Sequence, residues 1–215
     1  MEPELIWLRP EKSGVGRPAQ RSRAEITQVA VRLADRSGLD AVSMRQVAGE
    51  LGTGAGSLYR YVDTRDDLLD LMADHVAAEY RLTAPTGDPV ADLVDLGLQA
   101  REIYRRHPWL IDLVLTRPVI GPHGVDVTEH VLAVLADHPA PGPDKLVAWA
   151  MLTAVVAAAT RNELSAADTL RSARYVAHVV ARGEHPHLAA LDLASAAPGD
   201  PLPAALAKVA RGLLA

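Results

Sequence analysis

Apolar residues recur at three- and four-residue intervals over most of the chain, and nowhere with the two-residue alternation of a half-buried strand. Ser22 and Glu25 have the spacing of a capping box, and Ile26, Val29, Ala30 and Leu33 then give one face of a helix that runs to Gly38. A second start at Ser43, with Gln46 three positions on, opens a short helix whose apolar face is Met44, Val47, Ala48 and Leu51. Gly52 ends it, because the residue after a helix often needs a positive φ that glycine adopts without steric cost. Leu58 and Val62 resume the period, with Ser57, Tyr59, Arg60 and Tyr61 around the other faces. A small Ala48 for close approach, Gly52 at the corner and Leu58 as anchor make this a helix-turn-helix. Thr64, with Asp67 at the third position, caps the next helix, along which Leu68, Leu69, Met72, Val76 and Tyr80 share one side.

After Pro85, Gly87 and Pro89 every segment again reads as helix: about 89–106, 108–115, 124–137, 143–163, 165–182 and 201–214, with a weaker one near 187–196. Asp88-Pro89 is a cap followed by a first-turn proline. Proline and glycine clusters punctuate the rest as loops. The expected fold class is all-α, with an N-terminal three-helix helix-turn-helix domain and a larger helical domain after it. Residues 1–16 lack periodicity and carry Pro3, Pro10, Gly14 and Gly16, so they read as a flexible arm.

Composition narrows the chemistry. The chain has 215 residues, enough for a substantial core, and its formal charge of −5 argues against general coating of nucleic acid. The charge is uneven: Lys and Arg outnumber Asp and Glu by ten to eight through Arg65, and are outnumbered twelve to nineteen beyond it. Any basic surface therefore belongs to the N-terminal part. Without cysteine there is neither a disulfide framework nor a thiolate metal site, which suits a reducing cytoplasm. No signal-peptide pattern opens the chain, and the apolar run 146–159 is too short to span a bilayer, so a soluble protein with no membrane partner is expected. Eight histidines show no metal-ligand spacing on a helix, and His185-Pro-His187 reads as a surface loop. No nucleophile elbow or phosphate-cradling glycine loop after a strand is present, so no catalytic residues, metal or cofactor are expected and an enzyme is improbable.

From Ser43 to Leu71, the succession Leu51-Gly52, Ser57-Leu58-Tyr59-Arg60-Tyr61-Val62 and Thr64-Arg65-Asp66-Asp67-Leu68-Leu69 resembles the TetR family of bacterial transcriptional repressors. His107-Pro-Trp-Leu and Thr116-Arg-Pro-Val-Ile-Gly-Pro resemble, more loosely, the regulatory domain of the tetracycline-repressor branch. In that branch a histidine that helps bind the drug's magnesium stands where this chain has Leu113, so neither tetracycline nor a metal is carried over.

The resemblance implies a DNA-binding domain over 17–65, then a connector helix and a regulatory and dimerisation domain over 66–215. The DNA-binding candidates are Arg21 and Arg23 ahead of the first helix, Ser43 and Arg45, Thr53, Ala55, Gly56, Ser57, Tyr59, Arg60 and Tyr61 around the motif, and Arg65 where the family often has a phosphate-contacting lysine. Thr53-Gly54-Ala55-Gly56 departs from the family pattern and leaves the groove-facing helix start with few hydrogen-bonding side chains. Each glycine also weakens helix propensity by roughly 1 kcal/mol relative to alanine. Arg60 is the candidate for either a guanine or a phosphate contact, and Tyr59 and Tyr61 for base, sugar or phosphate.

The family's other half is a small-molecule pocket. Met72, Tyr104, Trp109, Leu110, Leu113, Thr116, Trp149, Met151, Thr153 and His178 are its candidate walls, core packing being the alternative for each. The resemblance further implies a cytoplasmic homodimer on a palindromic operator. Its interface would be a four-helix bundle, to which the apolar helices 145–161 and 202–213 are the expected contributors. The implied function is a repressor released by an unidentified small-molecule effector. A ligand-responsive activator, or a helical ligand-binding protein with a degenerate DNA reader, would share these features.

Overall fold

The computed structural model describes residues 5–10, 21–117, 121–190 and 199–214. Most of the sequence 1–16, together with Arg17, Pro118 and the far end of the expected helix 187–196, lies outside them.

The N-terminal module is built by local rules. Helix α1 (Arg23–Ser37) starts where the Ser22 hydroxyl accepts the Glu25 N–H at 3.1 Å and stops at Gly38, whose φ is 80°. Helix α2 (Met44–Glu50) starts in the same way, with the Ser43 hydroxyl accepting the Gln46 N–H at 3.2 Å. Gly52, at φ 66°, makes the corner. Among the described residues only Thr64 and Asp67 form the reciprocal box, at 2.9 and 3.0 Å, and they open α4 (Arg65–Ala77). The expected boxes at Ser22 and Ser43 are thus half boxes; Glu25 pairs instead with Arg21, one helical turn away.

Helix α3 (Ala55–Leu58) is a single turn, prolonged by a non-helical turn through Tyr61. It is shorter than the pattern suggests because Gly54 caps it without a side chain and Gly56 sits inside it. Tertiary burial holds it: Ile26, Val47, Leu58, Val62 and Leu68 are 0% exposed and interlock α1 to α4.

The second part comprises α5 (Pro89–Arg106), α6 (Leu110–Thr116), α7 (Pro122–Val134), α8 (Gly142–Leu164), α9 (Ala166–Ala181), a short α10 (Pro186–Ala189) and α11 (Leu202–Leu213). Asp88 caps α5 through the Val90 and Ala91 amides at 3.1 and 3.0 Å. Helices α5, α8 and α11 pack on one another around Gly97, where an added Cβ would lie 3.0 Å from Leu206, 3.5 Å from Val156 and 3.7 Å from Leu152. One continuous apolar core runs from Ile6 and Ile26 to Leu214.

Several expectations change here. Helix α11 turns Leu202, Leu206 and Ala210 into its own subunit, so its apolar face is core and not an outer surface. Outward apolar side chains stand on α8, with Leu146, Val147 and Met151, and on α9, with Leu170 and Tyr175, as well as on α6 and α7, with Val114, Leu115 and Val125. The apolar stretch in α8 belongs to a helix of 23 residues, long and apolar enough to cross a bilayer by length and composition; it is nonetheless a core helix along Ala148, Leu152, Val156 and Thr160. His185 stands directly before α10 without a capping hydrogen bond and His187 lies within the helix, where a loop is expected; both are exposed. Residues 5–10, expected to be flexible, form a 3-10 turn at Ile6–Leu8 with Ile6 1% exposed.

Candidate nucleic-acid interface

Helix α2, the corner at Gly52 and the α3 turn present one face to solvent. Arg45, Tyr59 and Arg60 are exposed on it. Among the described residues Arg45 and Arg60 make no hydrogen bond or ion pair, so both guanidinium groups are available to an outside acceptor. Beside them Arg21, Gly52, Thr53, Ser57, Arg60 and Tyr61 line a polar cleft of about 400 Å³.

The small hydroxyls in this face are already committed to one another. Ser57 Oγ donates to the Gly54 carbonyl at 2.7 Å, which leaves Thr53 Oγ1 to donate to Ser57 Oγ at 2.8 Å. A base contact in which Ser57 donates must exchange that internal bond, while one lone pair remains to accept. Above Gly54 and Gly56 a Cβ would meet nothing within 4 Å, and neither residue has a positive φ. Nothing among the described residues requires glycine there. The bare backbone is open to whatever approaches from outside.

The other sequence candidates serve the fold. Arg23 Nε donates to the Tyr61 carbonyl at 3.0 Å, and its Nη1 donates to the Arg9 and Ile6 carbonyls at 2.8 and 3.2 Å. Arg65 donates to the Val42 carbonyl at 3.1 Å and the Leu39 carbonyl at 3.2 Å, bracing the entrance of α2. Arg21 reaches the Leu51 carbonyl at 2.6 Å. Ser43 is occupied as a cap, and Ala55 is half-buried against the core. Sequence reasoning sees these arginines only as positive charge, because the carbonyls they reach lie far along the chain.

Two family models match this chain: that of bacterial regulatory proteins, tetR family, over residues 26–72, and the tetracyclin repressor-like C-terminal domain over residues 83–198. The chain belongs to the TetR family. It is 37% identical over 163 residues to the HTH-type transcriptional repressor DrrR1 of Streptomyces coeruleorubidus, a match spanning 75% of this chain and 60% of that protein. It superposes on apo ActR from Streptomyces coelicolor with a TM-score of 0.78 at 27% identity, covering 90% of this chain and 95% of ActR. ActR in complex with actinorhodin gives 0.76 at 26% identity, covering 91% of this chain and 96% of that one. TetR family proteins are transcriptional regulators and not enzymes.

Within this TetR chain the candidate pocket residues separate into two groups. Met72 is 0% exposed on α4, and Leu110 and Leu113 are buried on α6. Tyr104, on α5, is 3% exposed, and its hydroxyl makes no hydrogen bond among the described residues. Tyr80, just beyond the end of α4, stands edge-on to the half-buried Trp149 of α8 with ring centroids 6.5 Å apart. Burial pushes both phenols well above the usual tyrosine range, and for Tyr80 the nearby Tyr104 adds to the shift, so both remain O–H donors. Tyr80 is an aromatic side chain beside these residues that the sequence candidates leave out. Its place in the apolar row of α4 was visible, but not its pairing across to α8.

The remaining candidates lie elsewhere. Met151 is exposed on α8 and His178 on α9. Thr116 is exposed and donates to the Asp112 carbonyl at 2.6 Å, while Thr153 donates back to Ala150 at 2.9 Å within its own helix. Trp109 is buried at the junction of the two parts, where Nε1 donates to Asp35 of α1 at 2.7 Å. His107, buried beside it, lies 2.7 Å from Asp35 through Nδ1 and 3.0 Å from Glu79 through Nε2. Burial raises the Glu79 carboxyl, but hydrogen bonds from Arg106 and His107 outweigh it and hold the group below its usual value. This corner of α5 and α6 is a polar joint on the DNA-binding module, formed because Pro108 turns the chain between His107 and Trp109.

Proposed function

We propose that the protein is a sequence-specific, ligand-responsive transcriptional repressor, released from its operator when a small molecule binds the second part of the chain. The observation that carries this is the α2–α3 face: exposed Arg45, Tyr59 and Arg60 without partners among the described residues, on a helix-turn-helix held rigid by buried Leu58 and Val62. Division near residue 65 into a DNA-binding and a regulatory domain follows from that reading. Arg45, Tyr59 and Arg60 are the direct contacts. Thr53, Ala55, Gly56 and Ser57 form the surface laid against the duplex. Arg21, Arg23, Ser43, Tyr61 and Arg65 hold it in shape.

ActR, similar in fold, is known in complex with actinorhodin. In the present chain Tyr80, Tyr104 and Trp149, with Met72, Leu110 and Leu113, are the counterpart chamber we infer, and its two phenol donors suit a ligand with acceptor oxygens. The outward apolar side chains of α8 and α9 support a homodimer, which would place two reading faces on the half-sites of a palindrome in the cytoplasm. Ligand then acts by favouring a dimer whose reading faces are mis-spaced for successive major grooves.

The test is binding of the purified protein to the DNA upstream of its own gene and to scrambled DNA of equal length, at physiological salt. A preference of about a thousandfold or more is expected. Equal weak binding to both would shift weight to a degenerate reader, a reading that Gly54-Ala55-Gly56 would then explain.

A further inference from the structure

The described N-terminal segment, residues 5–10, touches three parts of the molecule at once. Ile6 is sealed in the core at 1% exposure. The carbonyls of Ile6 and Arg9 accept from Arg23 Nη1, and Nε of that guanidinium donates to the carbonyl of Tyr61, at the end of the reading turn. The Arg9 guanidinium forks between Asp63, directly after that turn, and Asp67 in α4. At the other end Trp7 stands against the bare backbone of Gly121, where α7 begins. A Cβ on Gly121 would lie 2.5 Å from Trp7 Cζ2 and 2.5 Å from Asp74 Cγ. Asp74, 5% exposed, is pinned in turn: it accepts the Gly124 N–H at 3.0 Å and lies 2.9 Å from His123 Nδ1.

We propose that residues 5–10 are an interdomain strap that ties the start of α7 to the DNA-reading turn. Displacement in the second part is then passed along the N-terminal segment as well as through α4. The strap has no slack at either end. At Gly121 it is seated at a distance that excludes even a methyl group, and at the reading turn it is held by directional guanidinium bonds to backbone carbonyls and carboxylates. A shift of the α7 start therefore unseats Trp7, and the pull falls on the Arg9 guanidinium at Asp63 and Asp67 and on Arg23, which links the Arg9 carbonyl to the Tyr61 carbonyl. This goes beyond the repressor reading and can be tested without operator or effector.

The experiment is hydrogen exchange on the full-length chain, read at the amides of Tyr61 and Val62. Gly121→Ala, at a φ of −115° that alanine accepts, wedges the Trp7 seat from the far side. It should accelerate exchange at the reading turn by about threefold or more. Trp7→Ala removes the link and should abolish that response, so that Trp7→Ala with Gly121→Ala exchanges there like Trp7→Ala alone. An acceleration that persists in the double variant would mean that α4 alone carries the signal, and no acceleration in Gly121→Ala would mean that no signal passes; either overturns the strap. Should Gly121→Ala fail to fold, Arg9→Ala loosens the opposite end. It is then read at the Gly124 and Val125 amides, with the same about threefold expectation, and change confined to residues 5–9 and their direct contacts would be the refuting result.

Discussion

Arg60 and Arg65 look equivalent as charges, yet they should fail in opposite ways when replaced. Arg65→Ala removes two guanidinium bonds, to Val42 and Leu39, from an exposed side chain. The abandoned carbonyls can turn to water, so the loss should be about 1 kcal/mol of stability, the usual net worth of a single solvent-accessible hydrogen bond and below the range for buried charged ones. For a chain of this size that is a fall of about 2–4 °C in Tm. Arg60→Ala removes no hydrogen bond or ion pair among the described residues, and its stability should stay within about 0.5 kcal/mol of wild type. Its cost should appear on DNA, as a loss of about 1–3 kcal/mol, roughly 5- to 150-fold in Kd. Calorimetry with fluorescence anisotropy on the upstream fragment at several salt concentrations separates the two. A guanine contact weakens the preferred sequence more than scrambled DNA. A phosphate contact weakens both alike and lowers the salt slope by about one. If Arg60→Ala melted as early as Arg65→Ala, or bound DNA like wild type, the division of arginines into structural and reading groups would be wrong.

Gly56→Ala should raise stability by about 0.5 kcal/mol, since its φ is ordinary and its Cβ meets open space, while weakening DNA binding if the duplex packs on that bare backbone; melting and anisotropy read the two effects separately. Glu79 is held below its ordinary value of 4.5, so its contribution to stability is present above that value and is lost as pH falls through the lowered folded pKa; Glu79→Gln should flatten this part of the acid limb in chemical denaturation below about pH 5. Val147→Asp with Met151→Asp, on the outward face of α8, should turn a dimer into a folded monomer by light scattering with helical content unchanged, and dimers that persist in both would place the interface elsewhere.

Much of the secondary structure is legible in the sequence by itself because its signals are local. Ser22, Ser43 and Thr64 begin helices, Gly38 and Gly52 turn the chain at positive φ, and Asp88-Pro89 opens α5 where expected; each acts on residues within one turn of itself. The helix-turn-helix and the all-helical second part follow from the same periodicity. What the chain pattern leaves open is which apolar face meets which. The C-terminal stretch reads as amphipathic, and packing around Gly97 draws that face of α11 inward, while α9 keeps Leu170 and Tyr175 exposed. Nor does an arginine's spacing tell whether it faces a phosphate or a carbonyl. Arg23 finds Tyr61 across 38 positions and Arg65 finds Val42 across 23, while Arg60 finds no partner among the described residues. Trp109 reads as a pocket wall until Asp35, 74 positions away, is seen to accept its N–H. Helix starts and stops are fixed by bonds that close within a few residues, whereas the joint, the strap and the reading face depend on partners that only the folded backbone brings into range.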